Sequence, residues 1–232
     1  MNKMPQSLQN GFIELAALAT LADMMPLEDE NKIIVEEGLP LLKNSFRPGL
    51  QAFFLHEEFK NYKNIKERVS KIISLLNVRD VKDGLPASYR LLTLSSLKDA
   101  KVMIDDLLKK NLQRKQKIET TTAEIEEKIS KAPEEPIIFE GRSDWELIYL
   151  SAAASILCHK YEKPTFILKI NHSESQGTAR LPKNLDGVKA MTYCSKLLLG
   201  YGGHPMACGF RLKNNNTDQF KKCLIDYFKK NK

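Results

Sequence analysis

Gly200-Tyr201-Gly202-Gly203-His204-Pro205-Met206-Ala207-Cys208-Gly209-Phe210 is the stretch on which the reading of this chain turns. Gly202 and Gly203 carry no side chain, so they predict a tight turn whose backbone amides a ligand can approach closely. Successive amides in such a turn form an anion-binding nest. His204 adds a donor that becomes cationic on protonation, Pro205 stiffens the turn, and Met206, Ala207 and Cys208 are small or soft enough to pack beneath it. A glycine pair alone is a weak signal. A plain glycine turn with a hydrogen-bonded surface histidine accounts for the same residues, and both readings stand at this point.

To either side of this stretch, strand-like and helix-like segments alternate. Residues 137–140 read as a strand and residues 145–160 as an alanine-rich helix. Residues 165–170 and 177–181 read as strands, 184–199 as a helix, 207–212 as a strand and 217–230 as a closing amphipathic helix. This order predicts a mixed α/β domain in which helices cover a sheet. Within it, Ser175-Gln176-Gly177-Thr178-Ala179-Arg180 is a second candidate for chemistry. Gly177 and Thr178 leave the backbone unobstructed, and Arg180 supplies a planar, always-charged fork suited to bidentate phosphate contact. A surface ion pair is the alternative role for Arg180. The two segments together predict a phosphate cradle, with Arg180 and His204 converging on one phosphate at an edge of the sheet.

The first half of the chain reads as helical. Residues 12–25 are almost entirely apolar, which predicts a helix buried on all sides. Asp23 sits at the end of this run, where a carboxylate is costly unless it is paired, capping a helix or bound to a hard divalent ion. Residues 29–44 form an amphipathic helix, Pro48 suits the first position of the next, and residues 65–77 form another. Residues 77–86 are a polar loop turning at Asp83-Gly84. From 95 to 130 the pattern is helical without a glycine or proline, with Leu97, Ala100, Ile104, Leu107, Leu108, Leu112, Ile118, Ile125 and Ile129 on one stripe. At 1.5 Å per residue it would reach about 50 Å, longer than one domain needs, so it reads as a connector between two lobes. Lys109, Lys110, Arg114, Lys115 and Lys117 cluster in its middle, either as a solvated face or as a contact for a polyanion.

Composition narrows the class. The 232 residues are 42% hydrophobic and 28% charged, which argues against a disordered or fibrous chain. The formal net charge of +7 fits a polyanionic partner, as does an inert basic surface. No apolar run approaches the roughly 18 residues that would span a bilayer. The residues up to Gly11 lack the charged-then-apolar pattern of a targeting segment. Cys158, Cys194, Cys208 and Cys223 form no Cys-x-x-Cys pair, which predicts reduced, mostly buried thiols in a cytoplasmic protein and no zinc site.

Taken together these motifs resemble the RecJ family of DHH phosphoesterases. Leu18-Ala-Thr-Leu-Ala-Asp23, with Pro26-Leu27 and Asn31, looks like that family's last metal-ligand motif, and Arg47-Pro48-Gly49-Leu50 is similar to its next stretch. Gly203-His204-Pro205-Met206-Ala207 with Gly209 resembles the signature of the DHH-associated domain and is the most specific match. Gly177 and Arg180 resemble its glycine-rich phosphate-contacting strand, and Trp145 its tryptophan before a buried helix.

The resemblance implies three parts: residues 1–94 as the mostly helical tail of a catalytic lobe, 95–132 as a connector helix, and 133–232 as a mixed α/β DHH-associated domain. It implies a 5′-to-3′ single-stranded DNA exonuclease of DNA repair that uses Mn2+ or Mg2+. Asp23 would be a metal ligand, and Gly177, Thr178, Arg180, Gly202, Gly203 and His204 would hold substrate phosphates. Partners would be single-stranded nucleic acid and a missing catalytic half or a single-strand-binding protein, with no membrane. The family's Asp-x-Asp and Asp-His-His motifs are absent from this sequence, so no complete catalytic set is expected in it. Glu146 stands where the family often has His, Ile148 and Ala179 where it has Gly, and Leu181 where it has Ser. A phosphodiesterase for short oligonucleotides or cyclic dinucleotides, and an inactive nucleic-acid-binding module, are the alternative readings.

Overall fold

Proline and asparagine set the starts of the N-terminal helices in the computed structural model, which describes residues 4–62, 64–131 and 133–230. Helix α1 (Gln6–Ala22) follows Pro5, and α2 (Asp29–Lys43) carries Asp29 and Glu30 in its first turn, where the helix dipole favours acids. Helix α3 (Pro48–Leu55) begins with Pro48, whose missing N–H is no loss at that position. Asn64 caps α4 (Ile65–Leu76): its side-chain oxygen accepts from the Glu67 amide, and its own amide donates back to the Glu67 carboxylate. A hairpin of β1 (Val81–Lys82) and β2 (Leu85–Pro86) turns at Asp83-Gly84, as expected, and leads to α5 (Ala87–Thr93) and α6 (Leu97–Lys131).

The chain divides into two compact units between Gln113 and Arg114, inside α6. The core of the first unit is built from Leu50, Phe53, Phe59, Ile72, Leu75, Leu91, Ile104 and Leu107. Phe53 and Phe59 meet edge-on with ring centroids 5.2 Å apart. The expectation that the apolar run at 12–25 is buried on all sides does not hold: Phe12 is 55% exposed and Met24 87%. Helix α1 offers one side to α2 and α4, and its buried positions are Gly11, Glu14, Ala17 and Leu18. Leu112 likewise leaves the stripe of α6 and lies exposed.

The second unit is a five-stranded sheet with helices on both faces. Strand β3 (Ile138–Arg142) runs into α7 (Leu147–Tyr161) and returns as the parallel neighbour β4 (Thr165–Ile170). Strand β5 (Glu174–Arg180) folds back antiparallel to β4. Helix α8 (Gly187–Tyr193), β6 (Leu198–His204), β7 (Ala207–Lys213) and α9 (Thr217–Lys230) complete the unit, in the strand order β3-β4-β5-β7-β6. Phe166 lies at the centre of one face, with the rings of Phe210, Phe220 and Phe228 at 6.2, 6.4 and 6.2 Å. On the other face α7 lays Leu150, Ala153, Ala154 and Leu157 against Ile138, Ile167 and Ile125 of α6. Trp145 is buried before α7 and donates its indole N–H to Glu124 of α6 at 2.8 Å.

Two expectations are corrected here. The helix over 184–199 is shorter, because Asp186 caps α8 by accepting from the Val188 and Lys189 amides, and the helix closes at Cys194. A 3-10 turn at Ser195–Leu197 then leads into β6, so the Gly200–His204 segment is a strand and the turn falls at Pro205-Met206. The leucine run at 197–199 suits a helix and a strand equally, and periodicity does not separate them. The four thiols are not all free: Cys194 at the end of α8 is joined to Cys223 of α9, with Cα atoms 6.0 Å apart although 29 positions separate them in sequence. Cys158 and Cys208 are free and buried. No helix among the described residues is long and apolar enough to cross a membrane.

Candidate nucleic-acid interface

Residues directly opposite in an antiparallel ladder point to the same face, so register sorts the candidate residues. Arg180 pairs with Ala207, and Ala207 with His204, giving one row across β5, β7 and β6. The next row is Thr178, Gly209 and Gly202, and the third is Gln176, Arg211 and Gly200. These rows share the face that α7 covers over β4 and β5. Beyond β5 the covering stops: Gly202, His204, Gly209 and Arg211 are exposed. A Cβ at Gly200 or Gly202 would meet nothing within 4 Å, so the backbone itself forms an open floor.

Arg180 stands at the edge of this floor. Its Nε donates to Ser155 Oγ of α7 at 3.1 Å, and its Nη1 donates to Thr178 Oγ1 at 2.9 Å and the Ala179 carbonyl at 2.8 Å. Ser151, one turn before Ser155, donates to the same Thr178 hydroxyl at 3.3 Å. The guanidinium is therefore held by neutral groups, and among the described residues no carboxylate forms an ion pair with it. Asp186, the nearby acid that acts on Cys208, is engaged in capping α8. A partly buried cation without an acid partner is short of one anion, and the open floor is where an anion would reach it.

The candidate residues do not all share that face. Arg180, Thr178, Gly202 and His204 do. Gly177 and Gly203 belong to the alternate register, towards α8 and α9. A Cβ on Gly177 would lie 2.3 Å from the Phe210 ring, so this glycine lets the ring pack across the sheet. Gly203 has φ +132° and a Cβ there would lie 2.4 Å from the Ala207 carbonyl, so only glycine closes the hairpin in this form. The amides of Gly202 and Gly203 alternate along a strand and form no turn-type nest. Arg180 and His204 lie two strand spacings apart, roughly 10 Å between backbones, and the guanidinium is turned towards α7. This row suits two successive phosphates better than one.

Several residues of the interface escaped the sequence reading: Ser151 and Ser155, one turn apart on α7, and Gln176 and Arg211 on the open rows. The signals were present in the four-residue serine spacing and in the alternation Gln176, Thr178, Arg180 along β5. Burial pushes the thiol of Cys158 up, and that of Cys208 up to about 11, where Asp186 adds to burial and Arg180 opposes it. Both sulfurs are neutral packing groups and not nucleophiles.

Asp23 belongs to the first unit, at the exposed C-terminal end of α1, where its amide donates to the Ala19 carbonyl at 2.9 Å. Among the described residues no group of three or more His, Cys, Asp or Glu side chains is arranged to hold a metal ion. The residues present do not fit a paired-ion centre.

Residues 134–230 match the family model of the DHHA1 domain. The match lies within the second unit. Over 222 residues the chain is 26% identical to the single-stranded-DNA-specific exonuclease RecJ of Bacillus subtilis, covering 94% of this chain and 28% of that protein. It is 25% identical to RecJ of Thermus thermophilus over 210 residues, 90% of this chain and 30% of the relative. The chain thus spans about three-tenths of the length of these relatives. The crystal structure of Thermus thermophilus RecJ in complex with Mg2+ superposes with a TM-score of 0.80 at 24% identity, over 95% of this chain and 35% of that one. An exonuclease RecJ bound to manganese superposes at 0.76, over 94% of this chain and 55% of that one. The resemblance to the RecJ family read from the motifs therefore extends to sequence and fold along the chain, with the DHHA1 domain at its C-terminal end.

Proposed function

We propose that this chain holds the strand for a RecJ-like DHH exonuclease, with its DHHA1 domain gripping the phosphates of single-stranded DNA. The observation that carries the reading is the backbone of β6 and β7 laid open at Gly200, Gly202 and Gly209, edged by an Arg180 that has neutral partners only. A phosphodiester backbone presents one negative charge per nucleotide, and such a floor lets it approach the peptide chain closely. Residues 1–94 would belong to the tail of the catalytic lobe, 95–132 to a connector and 133–232 to the strand-holding lobe. Metal chemistry with Mn2+ or Mg2+ would belong to the remainder of such an enzyme, with Asp23 as the one ligand this chain would offer. The setting would be cytoplasmic DNA repair, and the chain's own part is to bind and orient the strand. Fluorescence anisotropy with a labelled single-stranded oligonucleotide at several salt concentrations tests this. We expect binding that weakens with salt by about 0.7 log units per log unit for each phosphate contact. No binding at low salt, or a flat salt response, refutes the reading.

A further inference from the structure

Arg180 borders two cavities. One, of about 320 Å³, is the trough between α7 and strands β5 and β7, with Ser151, Gln176, Thr178 and Gly209 among its lining residues. The other, of about 710 Å³, opens between the C-terminal end of α7, the segment after β5 and the turn at Met206. Arg180 and Ala207 line both, so the two are continuous across this one arginine. Their chemistry differs. The trough is backbone and hydroxyl. The larger cleft has an apolar side made by Leu181, Pro182, Met206 and the neutral thiol of Cys158, with Asn184 on its rim. Glu162, His159 and Lys183 also line it, so the cleft carries both signs of charge.

We infer that the larger cleft is a nucleobase subsite, taking the base of the nucleotide whose phosphate is held at Arg180. This rests on the strand-holding reading and adds to it the part of the substrate that the cleft receives. A phosphate beside Arg180 places its own nucleoside within reach of the cleft, and the volume lies within the 300–1,000 Å³ of ordinary small-ligand pockets. The opposite charges of Glu162 and Lys183 largely offset each other, and the apolar side favours a neutral, flat group there over a second phosphate. His159 supplies an aromatic ring to the lining, and the Met206 thioether with the Leu181 and Pro182 side chains adds contact to the base faces. Sulfur packs well on aromatic rings. Every base has such a face, so this contact tolerates sequence, while the Asn184 amide offers a donor and an acceptor to a base edge.

The test compares two labelled strands of equal length on the full chain: one with natural bases and one of abasic sugar-phosphate units, at low salt. We expect the base-bearing strand to bind about tenfold more tightly, in the range found for single base contacts. Met206→Ser and Asn184→Ala, both at exposed positions, should reduce that preference and leave the abasic strand's affinity unchanged. Equal affinity of the unaltered chain for both strands overturns the base subsite and leaves the phosphate reading standing. Equal losses on both strands in the variants also overturn it. Binding of neither strand overturns both.

Discussion

Replacing Arg180 with alanine isolates the phosphate contact from the fold. The guanidinium donates to Ser155, Thr178 and the Ala179 carbonyl. Each of those acceptors is neutral, so its removal strands no buried charge. Thr178 keeps its contacts with Ser151 and the Cys208 carbonyl, and Ser155 keeps its bond to the Ser151 carbonyl. The stability loss should therefore stay at or below about 1 kcal/mol, the net worth of ordinary hydrogen bonds. The binding loss should be larger. A charge-assisted bond to a phosphate contributes about 1.5–3 kcal/mol, which corresponds to a roughly 12- to 150-fold rise in Kd. One phosphate contact fewer should flatten the log-log salt slope by about 0.7. Arg180→Lys keeps the charge and loses the fork, so it should keep the slope and lose affinity several-fold. Anisotropy titrations at four or five salt concentrations, with thermal unfolding as the control, measure all three quantities. An Arg180→Ala chain that is folded, with unchanged Kd and salt slope, would refute the reasoning. A double-mutant cycle with His204→Ala then tells one phosphate from two. With backbones roughly 10 Å apart, the losses should add to within about 0.5 kcal/mol. A larger coupling means that both side chains meet on one phosphate.

Further outcomes follow from other parts of the molecule. Gly203→Val places a branched side chain at φ +132° against the Ala207 carbonyl; it should cost about 1–3 kcal/mol of stability and weaken DNA binding, and chemical denaturation with intact m-value and midpoint would contradict this. Asp80 accepts from Arg90 and Lys110, both at 2.6 Å, and Lys110 with Arg90 holds its carboxyl below the usual carboxylate range. Its folded pKa lies below the unfolded one, so its contribution is present above the unfolded value and lost as pH falls through the folded one. Asp80→Asn should thus destabilise by about 1–2 kcal/mol at neutral pH, and in urea titrations the difference from wild type should begin to shrink as pH falls below about 4 and vanish only below the folded pKa. Reduction of the Cys194–Cys223 bridge, which spans 29 positions, should lower stability by up to about 3–4 kcal/mol on loop entropy. Thiol counting should find two reactive groups in the unfolded chain before reduction and four after. Finally, the purified chain should not cleave single-stranded DNA with manganese, because Asp23 has no companion ligands among the described residues; cleavage that Asp23→Ala abolishes would falsify this.

Legibility followed burial. Strands β4 and β7 and helix α9 could be read from the sequence because their periods are enforced by a core: Phe166, Ile167 and Leu168 are fully buried, and Phe210 and Leu212 alternate with exposed Gly209 and Arg211. Strand β6 could not. It lies at the edge of the sheet, and Gly200, Gly202 and Gly203 leave three of its seven positions without a side chain from which to show an alternation. The same glycines leave its backbone open, so the feature that hides the strand is the one the proposed site would use. The candidate glycines fall into two groups. Gly202 and Gly209 face the open trough, while Gly177 and Gly203 answer to the Phe210 ring and the Ala207 carbonyl behind it. Sequence shows that a side chain is absent; only register shows which side of the sheet its absence opens. Arg180 poses the converse problem. Its residue type fits a surface ion pair as well as a phosphate fork. What separates them is the missing acid and the presence of Ser155 and Thr178 in its place, partners 25 and 2 positions away, which are brought together only when α7 crosses over β5.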